Sequence, residues 1–327
     1  MVLSSALHVA RLDRARTLSH AALAQHVTPD AGSCWAPRAD VLVHAHAGET
    51  DEDLSNLRVR AHAESYSDTF AEAPLFEELT KRLNLLETNN ELGVATLGKL
   101  PPFERWSFAE GHYAQYLADL GAVHAALEGA LDAAASAAAA AAVAKGAGEA
   151  AARADALLSA LDGDAVRGLR RSAAIEADLK AIVGAADMPA VAEAPAPSTN
   201  AAAYASVLKR LGRRVAADDA DADPAKRLTA ARQLFTHAFC LYLALLGTGQ
   251  RMGARAVEAL PVRQNGALAL YTAYPERVGN PLVTLKAAVD GADGGAPDEA
   301  AREALMQELP AAIQRASLML APLAVTA

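Results

Sequence analysis

The run His237-Ala238-Phe239-Cys240-Leu241-Tyr242-Leu243-Ala244-Leu245-Leu246-Gly247-Thr248-Gly249-Gln250 decides the fold class of this chain. It lies within residues 233–250, a segment that contains no Asp, Glu, Lys or Arg. The segment is shorter than the roughly 20 strongly apolar residues that span a bilayer, and its histidine, threonines and glycines suit a protein interior better than lipid. The sequence therefore predicts a helix buried in a protein core and no transmembrane segment.

The composition supports the same fold class. The chain has 327 residues, of which 52% are hydrophobic and 5% aromatic, and alanine supplies much of the apolar fraction. Alanine favours helix because it loses no side-chain entropy there. A net charge of −9 gives no broad cationic surface, which argues against nucleic-acid binding. Cys34 and Cys240 stand far apart in the sequence and indicate neither a disulfide framework nor a cysteine zinc site.

Helical periodicity dominates from about Ser65 onward. One stripe of leucines, at spacings of four, four and three, consists of Leu75, Leu79, Leu83 and Leu86. A second helix carries apolar residues at similar spacings between Tyr113 and Leu127. Further helices are predicted over Ala150 to Val183, Asn200 to Val215, Leu282 to Val289 and Pro297 to Leu320. We therefore expect one all-α, multi-helical domain over residues 66–327, with an alanine-rich insertion near 132–152.

Residues 1–65 are expected to form an irregular N-terminal extension. The start of this extension carries Arg11, Arg14 and Arg16 against a single acid, Asp13, a composition typical of an amphipathic organelle-targeting sequence. An ordinary helix is the equal alternative for this segment. The acidic run at 218–223 is interpreted as a solvated turn.

The run at 237–250 resembles the distal-helix signature of the heme oxygenases, approximately H-A-Y-x-R-Y-L-G-D-L-S-G-G-Q. Gly249 and Gln250 match that signature. Three further stretches resemble family motifs in the same order along the chain, namely Glu78 to Asn84, Arg171 to Leu179 and Leu270 to Pro275. The resemblance covers roughly residues 66 to 320 and implies a heme-oxygenase-like helical fold.

The resemblance also implies that the heme site is degenerate. The family's iron-ligating histidine corresponds to Asn84, whose amide has no basic nitrogen lone pair for a metal. The distal Gly-Asp pair, whose carboxylate orders the proton-delivering water, corresponds to Ala244 and Leu245. Ligand and proton relay are thus both expected to be lost.

Two further requirements of the family are unmet. The first glycine of its flexing pair corresponds to Thr248, next to the matching Gly249, and a branched side chain there would occupy space that a porphyrin needs. The propionate-binding cations correspond to residues 282–288, which offer only Lys286, out of register. We therefore predict no catalytic, cofactor-binding or metal-binding residues.

Histidines provide the weaker candidates. His237 is interpreted as a packed core histidine, whereas His112 and His124 on the second helix are the residues that could restore a heme ligand. A group of histidines and acids in the extension has residue types that bind metals. Chance is the better explanation for this grouping, because the chain has nine histidines. That group consists of His44, His46, His62, Asp51, Glu52 and Asp53.

The leading functional interpretation is a non-enzymatic structural subunit of a larger assembly that reuses the heme oxygenase fold. The arginine-bearing start favours an organelle, the mitochondrion over the chloroplast, and a complex of the ATP synthase type. Arg210, Arg213 and Arg214 form a small basic patch that indicates a salt-bridging or docking surface. The alternatives are an active heme oxygenase that converts heme to biliverdin, iron and carbon monoxide, and a heme or tetrapyrrole carrier without turnover.

Overall fold

The computed structural model describes residues 74–88, 101–144, 149–216, 223–292 and 299–325. Within these ranges the chain forms ten α-helices and no β-strand, which confirms the all-α prediction. In chain order the helices are α1 (Leu75–Thr88), α2 (Glu110–Ala144), α3 (Glu149–Ser159), α4 (Asp164–Arg167), α5 (Ser172–Ile182), α6 (Thr199–Ala216), α7 (Pro224–Ala259), α8 (Ala269–Thr272), α9 (Pro281–Gly291) and α10 (Glu299–Leu318). Short 3-10 turns at Phe103–Arg105, Pro261–Arg263 and Glu276–Val278 lie between them. The extension at 1–65 and residues 217–222 lie outside the described ranges.

The helix predicted around the apolar run is longer than the run itself. It is α7, which begins at Pro224, where the proline occupies the first helical position and needs no hydrogen-bond acceptor. The Asp223 carboxylate accepts a hydrogen bond from the Ala225 backbone nitrogen at 3.0 Å and caps the helix. Phe235 and Phe239 are fully buried, so the apolar run lies in the core as predicted.

The prediction of a single helix over Ala150 to Val183 is wrong, because the chain there forms three helices, α3, α4 and α5. Two side chains make the interruption favourable. The Arg171 guanidinium donates hydrogen bonds to backbone carbonyls just before α5, and the Glu128 carboxylate accepts from the backbone nitrogens of Arg171 and Ser172 at 2.7 and 2.9 Å. These contacts satisfy main-chain groups that a continuous helix would otherwise pair internally.

The alanine-rich tract is helical. It continues α2 as far as Ala144, and α3 begins at Glu149, so within the described residues it lengthens a helix and forms no loop. The flanking residues 145–148 are outside the description.

Helix α1 is held by the last two helices of the chain. Its leucine stripe is buried, with Leu86 only 1% exposed, as the spacing predicts. The Phe76 backbone nitrogen donates to the Asp290 carboxylate of α9 at 2.9 Å, and Arg302 of α10 donates to Glu78 at 2.6 Å. Helix α1 therefore completes its packing against segments from the far end of the described chain.

Helices α2 and α6 form an extensive interface and run in the same direction. Asp119 of α2 accepts from the backbone nitrogen and hydroxyl of Ser198, both at 2.6 Å, immediately before α6 begins. Further along, Gly212 of α6 lies so close to Ala130 that a Cβ atom added to the glycine would stand 2.6 Å from the Ala130 Cβ and 2.8 Å from its Cα. The missing side chain at Gly212 thus sets the separation of the two helices.

Replacing Gly212 by alanine should lower the free energy of unfolding by about 1–3 kcal/mol, because the new methyl group meets backbone that cannot rotate away. Gly129 provides the matched control, since it adjoins the contact on α2, is exposed, and has nothing within 4 Å of an added Cβ. Gly129→Ala should instead stabilise the protein by about 0.5–1 kcal/mol through helix propensity. Urea denaturation followed by circular dichroism measures both values; shifts of the same sign would contradict this account of the interface.

Candidate functional site: the glycine face of the long helix

The five positions that the sequence resemblance compares with a heme site lie on two helices. Asn84 is half-buried near the end of α1. The other four lie on α7, where Leu245 and Gly249 are buried, Ala244 is half-buried, and the side chain of Thr248 is outside the description. Helix α7 therefore carries most of the predicted positions.

A tyrosine ring covers the face of α7 that contains Gly249. A Cβ atom added at Gly249 would stand 3.1 Å from Cδ1 of Tyr271, and one added at Gly253 would stand 3.0 Å from Cδ2 of the same ring. Glycines at positions i and i+4 share one helix face, so together they form a flat bed on which the phenol ring lies. We call this surface the glycine face, defined by Gly249 and Gly253.

A buried carboxylate positions Tyr271. The ring belongs to the short helix α8, whose first backbone nitrogens, those of Ala269 and Leu270, donate to Asp178 of α5 at 2.7 and 2.9 Å. Burial raises the pKa of Asp178 to about 6, while the two backbone hydrogen bonds act to lower it. Two stretches of the sequence resemblance, 171–179 and 270–275, are therefore in direct contact.

Arg171 makes the second link between these two stretches. Its guanidinium donates to the Ala273 carbonyl at 3.0 Å and lies over the Tyr274 ring, 3.8 Å from the ring centre. The stacking adds a cation–π interaction to the hydrogen bond. Tyr274 and Tyr271 are thereby held from the side of α5.

The hydroxyl of Tyr271 points into a group of buried phenols. Tyr113 and Tyr116 of α2 complete the group, and their phenols interact with that of Tyr271. Burial raises the pKa of all three, to about 12 for Tyr116. The three phenols remain neutral at physiological pH and cannot act as proton-transferring bases there.

The two histidines that could restore an iron ligand occupy different environments. His112 is exposed in the first turn of α2, and its Nδ1 lies 2.8 Å from the Ser107 hydroxyl. His124 is fully buried, and neither of its ring nitrogens has a hydrogen-bond partner within the described ranges. Burial lowers the pKa of His124 to about 4, with the nearby Arg171 acting in the same direction and Glu128 opposing it.

His237 is a packed core histidine, as predicted. Its Nδ1 lies 3.0 Å from the Tyr204 hydroxyl, and its Nε2 lies 3.3 Å from a Glu308 carboxylate oxygen. These three side chains join α6, α7 and α10 through the core. The nearby Cys240 is fully buried, and burial raises its thiol pKa, so the thiol is unreactive.

The residues at the predicted positions do not fit a heme. Residue 84 offers an amide, the glycine face is covered by the Tyr271 ring, and Lys286 is exposed and paired with Asp290 at 3.9 Å. An open depression of about 540 Å³, lined by residues 108–111, 189–190 and 259–260, includes none of these residues. The sequence did not predict Tyr271 as a residue of this site. The i, i+4 spacing of Gly249 and Gly253 was the available signal, because it indicates a helix face against which another group can pack closely.

No group of three or more His, Cys, Asp or Glu side chains within the described ranges could hold a metal ion. The histidine and acid group of the extension, at 44–62, lies outside those ranges. Among the helices described, none has the length and apolarity to cross a membrane. Comparison with protein-family models, with curated proteins and with solved structures finds no match to this chain.

Proposed function

We propose that this chain is a non-enzymatic accessory subunit that contributes a rigid helical scaffold to a larger assembly. The observation that carries the proposal is the Tyr271 ring on the glycine face. On a heme-oxygenase-like fold that face would have to lie against a porphyrin, and here it packs against the protein's own side chain. The proposed loss of heme chemistry follows from this packing together with the amide at Asn84.

The buried acids of the core support the proposal because they hold the backbone. Asp119 caps the start of α6, Glu128 caps the start of α5, and Asp178 caps the start of α8. Capping side chains satisfy the unpaired nitrogens of a helix N-terminus and fix its position. Catalytic acids, by contrast, need an open path to a substrate.

The proposed location is an organelle, with the mitochondrion favoured over the chloroplast and an ATP-synthase-type complex as the candidate assembly. The support is compositional: an N-terminal stretch that holds Arg11, Arg14 and Arg16 with one acid. The scaffold proposal does not depend on which organelle is correct.

Titration of the purified full chain with hemin tests the proposal. We expect the spectrum to remain that of free hemin, with no shift or sharpening of its broad Soret band at one equivalent, and after addition of a reductant to match the spectrum of hemin reduced without protein. The variant Asn84→His should behave like the wild type, because restoring an imidazole leaves the Tyr271 ring in place. Asn84→Gln is its matched control for a change of side-chain size at this helix position.

Two outcomes would overturn the proposal. A shifted and sharpened Soret band that is stable in the wild type would indicate a heme carrier, and loss of that shift in His112→Ala or His124→Ala would identify the ligand. A shifted band that decays under reductant and oxygen to a bilin spectrum, faster than hemin decays without protein, would indicate a heme oxygenase with an unusual ligand.

A further inference from the structure

Helix α6 has two chemically distinct sides. Its largest apolar residues are buried against the core: Tyr204, Leu208, Leu211 and Val215. Its solvent side carries four exposed cations in two adjacent turns: Lys209, Arg210, Arg213 and Arg214. We call these four residues the α6 cationic face.

The α6 cationic face has no ionic partner within the described part of the chain. Several other exposed cations do have one: Arg153 lies 2.7 Å from Glu149, Lys180 lies 2.6 Å from Glu176, and Lys226 lies 3.7 Å from Asp223. What distinguishes the face is that four such cations lie together on one helix, in a protein whose net charge is −9. A set of unpaired cations on an acidic protein presents a local field opposite in sign to the rest of the molecule.

Local helix electrostatics account for only half of the face. Arg213 and Arg214 lie in the last turn of α6, where cations interact favourably with the helix dipole. Lys209 and Arg210 lie one turn earlier, and each stands at the i position of an i, i+4 pair with another cation. Like charges at this spacing repel each other, so the intrahelical contacts do not explain Lys209 and Arg210.

The chemistry of the face favours a carboxylate-bearing protein over lipid or nucleic acid. Within the described ranges the exposed large hydrophobic residues are Val283 and Val325, neither of them on α6, so the face has no apolar group to insert into a membrane. Nor does α6 expose an aromatic residue that could stack on bases. Arginine binds planar carboxylates through paired hydrogen bonds, and three of the four cations are arginine.

We propose that the α6 cationic face docks an acidic segment of a partner protein. The two rows of cations, 209 with 213 and 210 with 214, repeat about every 6 Å along the helix axis. A partner that matches them carries Asp or Glu side chains at a similar spacing, as on one face of a helix. This proposal rests on the proposed role as an assembly subunit and names the chemistry of its partner.

Fluorescence anisotropy of labelled poly-L-glutamate with the full-length chain tests the proposal. We expect binding at low ionic strength that weakens at about 0.15 M salt. The double variant K209E/R210E should bind about tenfold more weakly, because two attractive contacts become repulsive. The matched control K180E/K226E makes the same change in net charge at two other exposed lysines and should retain the wild-type affinity. Circular dichroism confirms that both variants remain folded.

Three outcomes would overturn the proposal: no binding of poly-L-glutamate at low ionic strength, an equal loss in both double variants, or tighter binding of phosphatidylserine vesicles or duplex RNA that depends on Lys209 and Arg210. The result is independent of the hemin titration, because α6 carries none of the positions compared with a heme site. A protein-induced shift of the Soret band would therefore overturn the scaffold role and leave the docking chemistry to be judged by its own assay.

Discussion

Replacing Arg171 by methionine should lower the free energy of unfolding by about 3–5 kcal/mol, the largest effect we expect of any single substitution in this chain. Arg171 is 2% exposed, and its guanidinium donates to four backbone carbonyls. These are the carbonyls of Gly168 at 2.8 Å, Leu169 at 3.1 Å, Arg170 at 2.7 Å and Ala273 at 3.0 Å. Methionine fills a similar volume but leaves these acceptors without a donor in the core.

The substitution is selective because the backbone hydrogen bonds to Glu128 do not involve the guanidinium. Chemical denaturation measures the change. Arg167→Met is the matched control: Arg167 also lies near the start of α5 and forms two hydrogen bonds with Asp162, but its side chain is half exposed. We expect a much smaller loss there, since exposed ion pairs contribute little. Equal losses in the two variants would show that burial of Arg171 is not the cause.

Replacing His124 by phenylalanine should make the protein more resistant to acid. The pKa of the buried imidazole is about 4 in the folded protein, against 6.5 for an unperturbed histidine. The unfolded chain therefore binds a proton at a higher pH than the folded chain, and stability falls as the pH drops from about 6.5 to about 4. This loss amounts to about 3 kcal/mol at pH 4, and the phenylalanine variant avoids it.

Asp178 acts in the opposite direction within the same pH range. Its pKa is raised from 3.8 to about 6, so the folded chain holds the proton more strongly, and stability falls as the pH rises through about 6. Denaturation of wild type, His124→Phe and Asp178→Asn at pH 4 and pH 7 separates the two contributions. At pH 4, His124→Phe should have a higher free energy of unfolding than the wild type. The free energy of unfolding of Asp178→Asn, relative to that of the wild type, should be lower at pH 4 than at pH 7. A His124→Phe variant with the acid sensitivity of the wild type would contradict the assignment.

The sequence was sufficient for the fold class and for most helices. The leucine stripe of α1 and the apolar run of α7 are periodic, and periodicity directly reports which face is buried. The break between α3 and α5 was not predictable in the same way. It depends on two sets of contacts between distant segments. The backbone nitrogens of Arg171 and its neighbour bind Glu128 of α2, and the Arg171 guanidinium binds the Ala273 carbonyl, just after α8. The local sequence around the break reveals neither contact.

The candidate site was predicted only in part. The four predicted residues of α7 share one helix, and two of the resembling stretches, 171–179 and 270–275, meet in space. The identity of the group that covers Gly249 could not be predicted. A glycine indicates that another group packs closely against the backbone, but it does not indicate which group that is. Tyr271 is positioned against Gly249 because Asp178 caps the start of α8, the helix that carries this tyrosine. The assignment to a heme-oxygenase-like fold stays a prediction.

The anchoring of α1 also constrains the order of events during synthesis. Its partners Asp290 and Arg302 leave the ribosome long after α1 does, so these contacts cannot form until more than 200 further residues have been made, as the sequence separations of 214 and 224 residues show. Contacts between such distant segments form late in folding. Until those contacts form, the apolar face of α1 is exposed in the nascent chain, and exposed apolar surface of this kind promotes aggregation during folding.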